Sequence, residues 1–143
     1  MKYVLVYWSR YGNNKKLMET LADMLREKPA EVDVFTTGEI DPAAMPIADV
    51  YVFSAPTEAF RIQKHMRRFL KKLQGMEGKK YGVINTHGMK RNWLRSMEKT
   101  LKKKKMEKLA AVDFRVGEVA EDTLGLMDDW ETHLAGFAAS LQA

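Results

Sequence analysis

Lys2-Tyr3-Val4-Leu5-Val6-Tyr7-Trp8, followed at once by Ser9-Arg10-Tyr11-Gly12-Asn13-Asn14-Lys15, decides how the rest of the chain is read. After one lysine, the first half is an almost unbroken β-branched and aromatic run, the mark of a strand buried on both faces. The second half is loop chemistry: serine, glycine and two asparagines. A helical stripe then begins, Leu17, Leu21, Met24 and Leu25, and ends at Lys28-Pro29. A buried strand, a polar loop and an amphipathic helix in succession form the opening unit of a parallel α/β sheet.

Outward from that unit the pattern repeats. Val32 and Val34 alternate with polar neighbours over 31–36, a half-buried or edge strand. Residues 37–48 carry Gly38, Pro42 and Pro46 and read as a loop or short irregular helix. Residues 50–54 are a second fully buried strand, expected to stop at Pro56. Ile62, Met66, Phe69, Leu70 and Leu73 predict a helix over 61–73. Residues 81–85 are a third buried strand. Trp93 or Leu94, with Met97 and Leu101, marks a helix within 91–106, and 109–116 reads as a strand. Leu126, Trp130, Leu134, Phe137 and Leu141 fall on one stripe of a C-terminal helix. The expected fold is a single three-layer α/β domain over 1–143, a doubly wound five-stranded parallel sheet in the order 2-1-3-4-5. Right-handed crossovers put the 61–73 and 91–106 helices side by side on one face.

Composition agrees. With 143 residues, 45% hydrophobic and 30% charged, the chain has the makings of one globular domain. It has no cysteine, which excludes disulfides, thiol catalysis and thiolate metal sites, and which suits a reducing compartment. No segment approaches the roughly 20 apolar residues of a membrane span. The apolar N-terminal run is short and lacks a small-residue cleavage site, so the expectation is a cytoplasmic protein. Charge is unevenly placed: residues 61–108 hold 17 Lys/Arg against 3 Asp/Glu, and the remainder 7 against 16. The basic stretch therefore forms a face suited to an acidic protein or an anionic surface. Aromatics are not interleaved with these cations as in a single-strand groove, so nucleic acid is disfavoured.

In a sheet of this order ligands sit at the strand carboxyl ends, where the winding reverses between strands 1 and 3. The loops there are 9–15 and 55–60, with 85–90 beside them. The 9–15 loop leads into a helix N-terminus, whose N–H groups and positive end favour an anion. Gly12 permits a tight turn, and Ser9, Asn13 and Asn14 can donate to phosphate oxygens. Neither a Walker A pattern nor G-x-G-x-x-G is present, which disfavours nucleoside triphosphates and dinucleotides. Ser54 lacks the flanking glycines of a nucleophile elbow. His65 and His133 have no metal-ligand spacing, so neither a metal nor a catalytic side chain is expected. A phosphoryl-accepting receiver domain needs acidic residues where Ser9-Arg10 and Ser54-Ala55 stand. Trp8 either flanks the ligand or packs in the core, and Trp93 either caps the site or packs.

Residues 6–14, Val-Tyr-Trp-Ser-Arg-Tyr-Gly-Asn-Asn, resemble the Ser/Thr-x-x-Gly-Asn-Thr phosphate loop of flavodoxins. The Ser-Arg-Tyr-Gly-Asn form is most similar to short flavodoxin-domain proteins, including the menaquinone-linked protoporphyrinogen oxidase type. Ser54-Ala55-Pro56-Thr57 resembles the segment after strand 3 of the family, and Thr86-His87-Gly88 the loop after strand 4. The resemblance implies non-covalent FMN, with its phosphate on Ser9, Tyr11, Gly12, Asn13 and Asn14 and with Arg10 among the cofactor-binding residues of the same loop. The isoalloxazine would lie between Pro56, Thr57, Glu58 and Phe60 on one side and Thr86, His87 and Gly88 on the other. Phe60 would supply a stacking aromatic. His87 either donates to the flavin carbonyls or is an ordinary loop histidine. Two departures are visible: Asn14 stands where threonine is usual, and 57–60 contains no glycine, which hinders a positive-φ peptide there. Glu58 facing the ring would repel a reduced, anionic flavin. The implied function is a redox protein, an electron carrier or small FMN-dependent oxidoreductase, exchanging electrons with a partner protein or a quinone-like molecule. The alternative is a flavin-free module docking an acidic partner through the 61–108 face.

Overall fold

The computed structural model describes residues 1–120, 123–127 and 129–142. Five parallel strands form the sheet: β1 (Lys2–Tyr7), β2 (Glu31–Thr36), β3 (Val50–Glu58), β5 (Lys80–His87) and β6 (Glu107–Ala120). Their order, β2-β1-β3-β5-β6, is the expected 2-1-3-4-5. Helices α1 (Asn13–Arg26) and α4 (Trp130–Gln142) cover one face, where Leu17, Leu21, Leu134 and Phe137 pack on Leu5, Val52 and Ile84. Helices α2 (Lys64–Lys72) and α3 (Leu94–Lys103) cover the other, where Met66, Phe69, Met97 and Leu101 pack on Val4, Phe53 and Val83. Both cores are closed because β1, β3 and β5 carry apolar side chains to the two faces alike.

Three expectations are corrected. Pro56 does not stop its strand; β3 continues to Glu58, with Pro56 opposite Thr86. Trp8 donates its N–H to the Ser54 carbonyl, so Pro56, two residues on, faces the same side, where β1 has already ended at Tyr7. On that side the Pro56 carbonyl accepts from Gln63 N–H at 3.0 Å, the one bond of that pair that a proline can still make, and proline is tolerated at this edge. The continuation folds back as a hairpin with β4 (Arg61–Ile62), pairing Thr57 with Ile62 and Glu58 with Arg61. The helix expected from 61 therefore begins at Lys64, capped by the Gln63 side chain, which accepts from Met66 N–H at 3.0 Å. Finally, β6 outruns β5 and pairs antiparallel with β7 (Thr123–Leu126), so Leu126 is on a strand and not on α4. Asp129, at φ 48°, breaks any helix running from Leu126 into α4.

Candidate functional site

At the carboxyl end of β1, Gly12 takes φ 88° and turns the chain into α1, a conformation that costs an L-residue with a Cβ. The first intrahelical bond runs from Lys16 N–H to Gly12 C=O. The Asn14 and Lys15 amides ahead of it stand at the positive end of the helix. A cavity of about 400 Å³ opens beside this turn. Its walls include Ser9, Tyr11 and Asn13 from the first loop, Pro56 and Thr57 from β3, and Thr86 from β5. Gly12 itself lines a separate groove on the other side of the loop, with Tyr7, Thr36 and Thr37. Its amide is donated to Ser9 Oγ at 3.0 Å, which fixes the turn from within.

Asn14 is 2% exposed, and its carboxamide is engaged inside the protein. Nδ2 donates to Thr86 Oγ1 at 2.9 Å, and Oδ1 accepts from Ser54 Oγ at 2.7 Å. The side chain expected to donate to a phosphate is instead a strut, tying α1 to β3 and β5. The strut explains how asparagine serves where threonine is usual, since a longer carboxamide reaches both neighbouring strands.

Arg10, expected among the cofactor-binding residues, is engaged with Glu58. Its guanidinium grips Glu58 in two hydrogen bonds, Nε to Oε2 at 2.5 Å and a terminal NH₂ to Oε1 at 2.9 Å, and lies 4.9 Å from the centre of the Trp8 ring. The Glu58 hydrogen bond and charge raise the Arg10 pKa above its ordinary value. Trp8 in turn stacks on His65 at 5.7 Å. The repulsion expected from Glu58 is therefore met by a partner: a bidentate cation neutralises it.

A second cavity, of about 780 Å³, adjoins the first and shares Thr57, His87 and Gly88 with it. Phe60, Met89 and Trp93 supply its apolar walls, and Lys90, Arg91 and Arg115 its cations. The hairpin tip beside it is a two-residue turn, Ala59 and Phe60, at φ 49° and 61°. Two positive φ values mark the type I′ geometry that Asn-Gly usually supplies. The positive-φ turn thus forms without glycine, against expectation, and Phe60 stands 71% exposed at its tip.

His87 is buried, with Nε2 2.6 Å from Asp113 Oδ2 and Nδ1 hydrogen-bonded to the Met89 carbonyl. Both ring nitrogens are taken, so His87 pins the 88–91 loop to β6 in place of donating to a ligand. Asn85 is the residue that sequence reasoning missed. It is fully buried, its Nδ2 lies 3.1 Å from both the Ala55 carbonyl and Thr57 Oγ1, and its Oδ1 accepts from Trp93 N–H at 2.8 Å. One side chain thereby ties the end of β3 to the start of α3. Its signal was a lone amide in an otherwise apolar strand, a polar group that burial tolerates only with partners. Arg91 stacks 4.5 Å over the Trp93 ring, which packs on the α2–α3 core and also lines the second cavity.

The first cavity is lined by small polar side chains that can donate to an anion, and the second has the volume of a small-molecule pocket with apolar walls. Comparison with known proteins agrees. A family model described as "Flavodoxin domain" matches residues 4–130, and the chain belongs to that family. FMN is the cofactor of the flavodoxins. Among solved structures, a flavodoxin of Streptococcus pneumonia TIGR4 superposes with TM-score 0.80 at 20% identity, over 99% of this chain and 98% of that one. Oxidised Flavodoxin 1 from Bacillus cereus gives 0.79 at 15%, over 98% and 96%. Rubredoxin oxygen:oxidoreductase from Desulfovibrio gigas gives 0.78 at 16%, over 97% of this chain and 34% of that one. No curated protein matches by sequence. Among the described residues, no helix is long and apolar enough to cross a membrane, and no cluster of His, Asp and Glu could hold a metal ion.

Proposed function

We propose that the chain is an FMN-carrying electron-transfer domain, with the FMN phosphate in the Ser9–Asn14 cavity and the ring between the 57–60 turn and the 87–91 loop. The observation that supports it most is the continuity of the two cavities at the carboxyl end of the sheet. One is built from helix-terminal amides and small polar side chains, the other from Phe60, Met89 and Trp93. When bound, FMN supplies one- and two-electron redox chemistry, and the protein supplies position and field.

The chain's own residues divide that work. Asn13 and Asn14, which line that cavity, bring the start of α1 to the phosphate, and Ser9 and Tyr11 add hydroxyls at the rim. Asn14 and Asn85 hold the loops at fixed separation. Arg10 cancels the charge of Glu58, while Lys90, Arg91 and Arg115 leave the ring cavity with a positive field that favours electron gain by a ring inside it. The absence of cysteine suits the cytoplasm, and the redox counterpart is a protein or a quinone-like molecule. Titrating the purified chain with FMN tests the reading. Fluorescence quenching with a stoichiometry of one, weakened by inorganic phosphate at high concentration, is the expected result. Riboflavin, lacking the phosphate, should bind at least tenfold more weakly. Absence of FMN binding at micromolar concentration leaves the flavin-free docking module as the better description.

A further inference from the structure

We infer that the mouth of the ring cavity is a docking surface for an acidic redox protein, whose carboxylates would face Arg61, Lys90, Arg91 and Arg115 around a centre made by Phe60 and Met89. The inference rests on the FMN reading above and adds the sign and place of the partner's contact.

Charge bookkeeping at the mouth carries it. Among the described residues lining the two cavities, Glu58 is the single carboxylate, and Arg10 neutralises it. Asp113, which backs the same loop, lies against His87. Arg61, Lys90, Arg91 and Arg115 are all exposed and have no ion-pair partner among the described residues. The excess continues down the flank. Of the 17 cations in 61–108, Lys108 alone has an ion-pair partner among the described residues, Glu98 at 2.5 Å. Burial, then the charges of Arg61 and Arg68, hold the Arg67 pKa below its ordinary value, so these cations repel one another. A field of one sign around a cleft steers an oppositely charged partner to it.

The apolar part selects a protein over other polyanions. Phe60 is 71% and Met89 65% exposed, one on each jaw of the cavity. An apolar centre with a charged rim is the anatomy of a protein–protein contact. The apolar stripes of α2 and α3 (Met66, Phe69, Leu70, Met97, Leu101) are buried against the sheet, leaving no apolar helix face for a bilayer. A stacking platform for nucleic acid needs successive aromatics along a basic groove, whereas Phe60 stands singly at its turn.

The test uses an acidic plant-type ferredoxin and a basic c-type cytochrome as probes of opposite charge. Flavin reduction by reduced ferredoxin, followed by stopped flow, should slow about tenfold or more from low to high ionic strength, and oxidation of the reduced chain by the cytochrome should not. R91E/R115E should slow the low-salt ferredoxin reaction about tenfold. K102E/K103E, at the far end of α3 and roughly 13 Å from its start, should change it less than about twofold. A salt-independent ferredoxin rate, or equal effects of the two double variants, overturns the inference. So does low-salt binding to phosphatidylglycerol vesicles or an oligonucleotide that R91E/R115E abolishes while the ferredoxin rate is unmoved. FMN titration of each variant, and ferredoxin binding by calorimetry with and without FMN, separate failure of the docking surface from failure of the flavin reading.

Discussion

The two ends of the candidate site are built by opposite means. The phosphate end is made of backbone: a glycine placed where φ is positive, amides at a helix start, and a buried asparagine that holds the turn to two strands. The ring end is made of side chains on a turn that its own sequence disfavours, with Ala59 and Phe60 in the left-handed region and a bidentate ion pair as brace. Binding a phosphate needs only pre-set amides, which any sequence compatible with the turn provides. Tuning a redox ring needs particular charges and a particular aromatic, and strain is tolerated to place them.

The comparison breaks most visibly at Asn14. Asn14→Ala would leave Ser54 Oγ and Thr86 Oγ1 buried without their shared partner, beside a small void. We expect a loss of about 2–4 kcal/mol in urea unfolding and at least tenfold weaker FMN binding. A variant that kept wild-type stability would mean that the strut is dispensable and that the phosphate loop is held by its turn alone.

Glycine exchange sharpens the contrast by sign. Gly12→Ala puts a Cβ at φ 88°, where it meets open space, so the cost is conformational and about 1–2 kcal/mol. Ala59→Gly removes strain at φ 49°, and the gain, reduced by the greater freedom of glycine in the unfolded chain, is up to about 1 kcal/mol. Thermal unfolding of the pair should move in opposite directions. Movement in the same direction would show that the 59–60 turn is relaxed and that the two loops do not differ in strain.

The same asymmetry decided what could be read from sequence. The strand order followed from alternating buried strands and helical stripes, and the tight turn into α1 from Gly12-Asn13-Asn14 after a buried strand, because both are local patterns. The hairpin at 57–62 was not legible, since Ala-Phe carries no turn signal and Pro56 argued for a strand end. Its formation depends on where β1 stops, a fact about the neighbouring strand. Likewise the β6–β7 pairing hid behind the spacing of Leu126 and Trp130, which fits a helix as well as a strand followed by a helix. Arg10 and Glu58 were each assigned to the flavin; their mutual contact spans 48 positions and appears only once both loops are placed.

That ion pair gives the smallest effect on folding and the finest test of the ring end. Both side chains reach solvent, with Arg10 half-exposed, so Arg10→Ala and Glu58→Gln should leave stability little changed. Their effects on the flavin should oppose one another. Arg10→Ala leaves Glu58 uncompensated near the ring and should make its reduction potential more negative, on the order of tens of millivolts. Glu58→Gln leaves Arg10 as an added cation and should shift the potential the other way. The double variant removes both charges and should return close to the wild-type value. Spectroelectrochemical titration of the four proteins reads all three shifts. If the single variants shift the potential in the same direction, the pair acts by holding the hairpin in place and its charges do not reach the ring. The phosphate end should be indifferent: FMN affinity of the oxidised protein is expected to change less than about threefold in Glu58→Gln, because the turn into α1 at Asn13 and Asn14 is untouched.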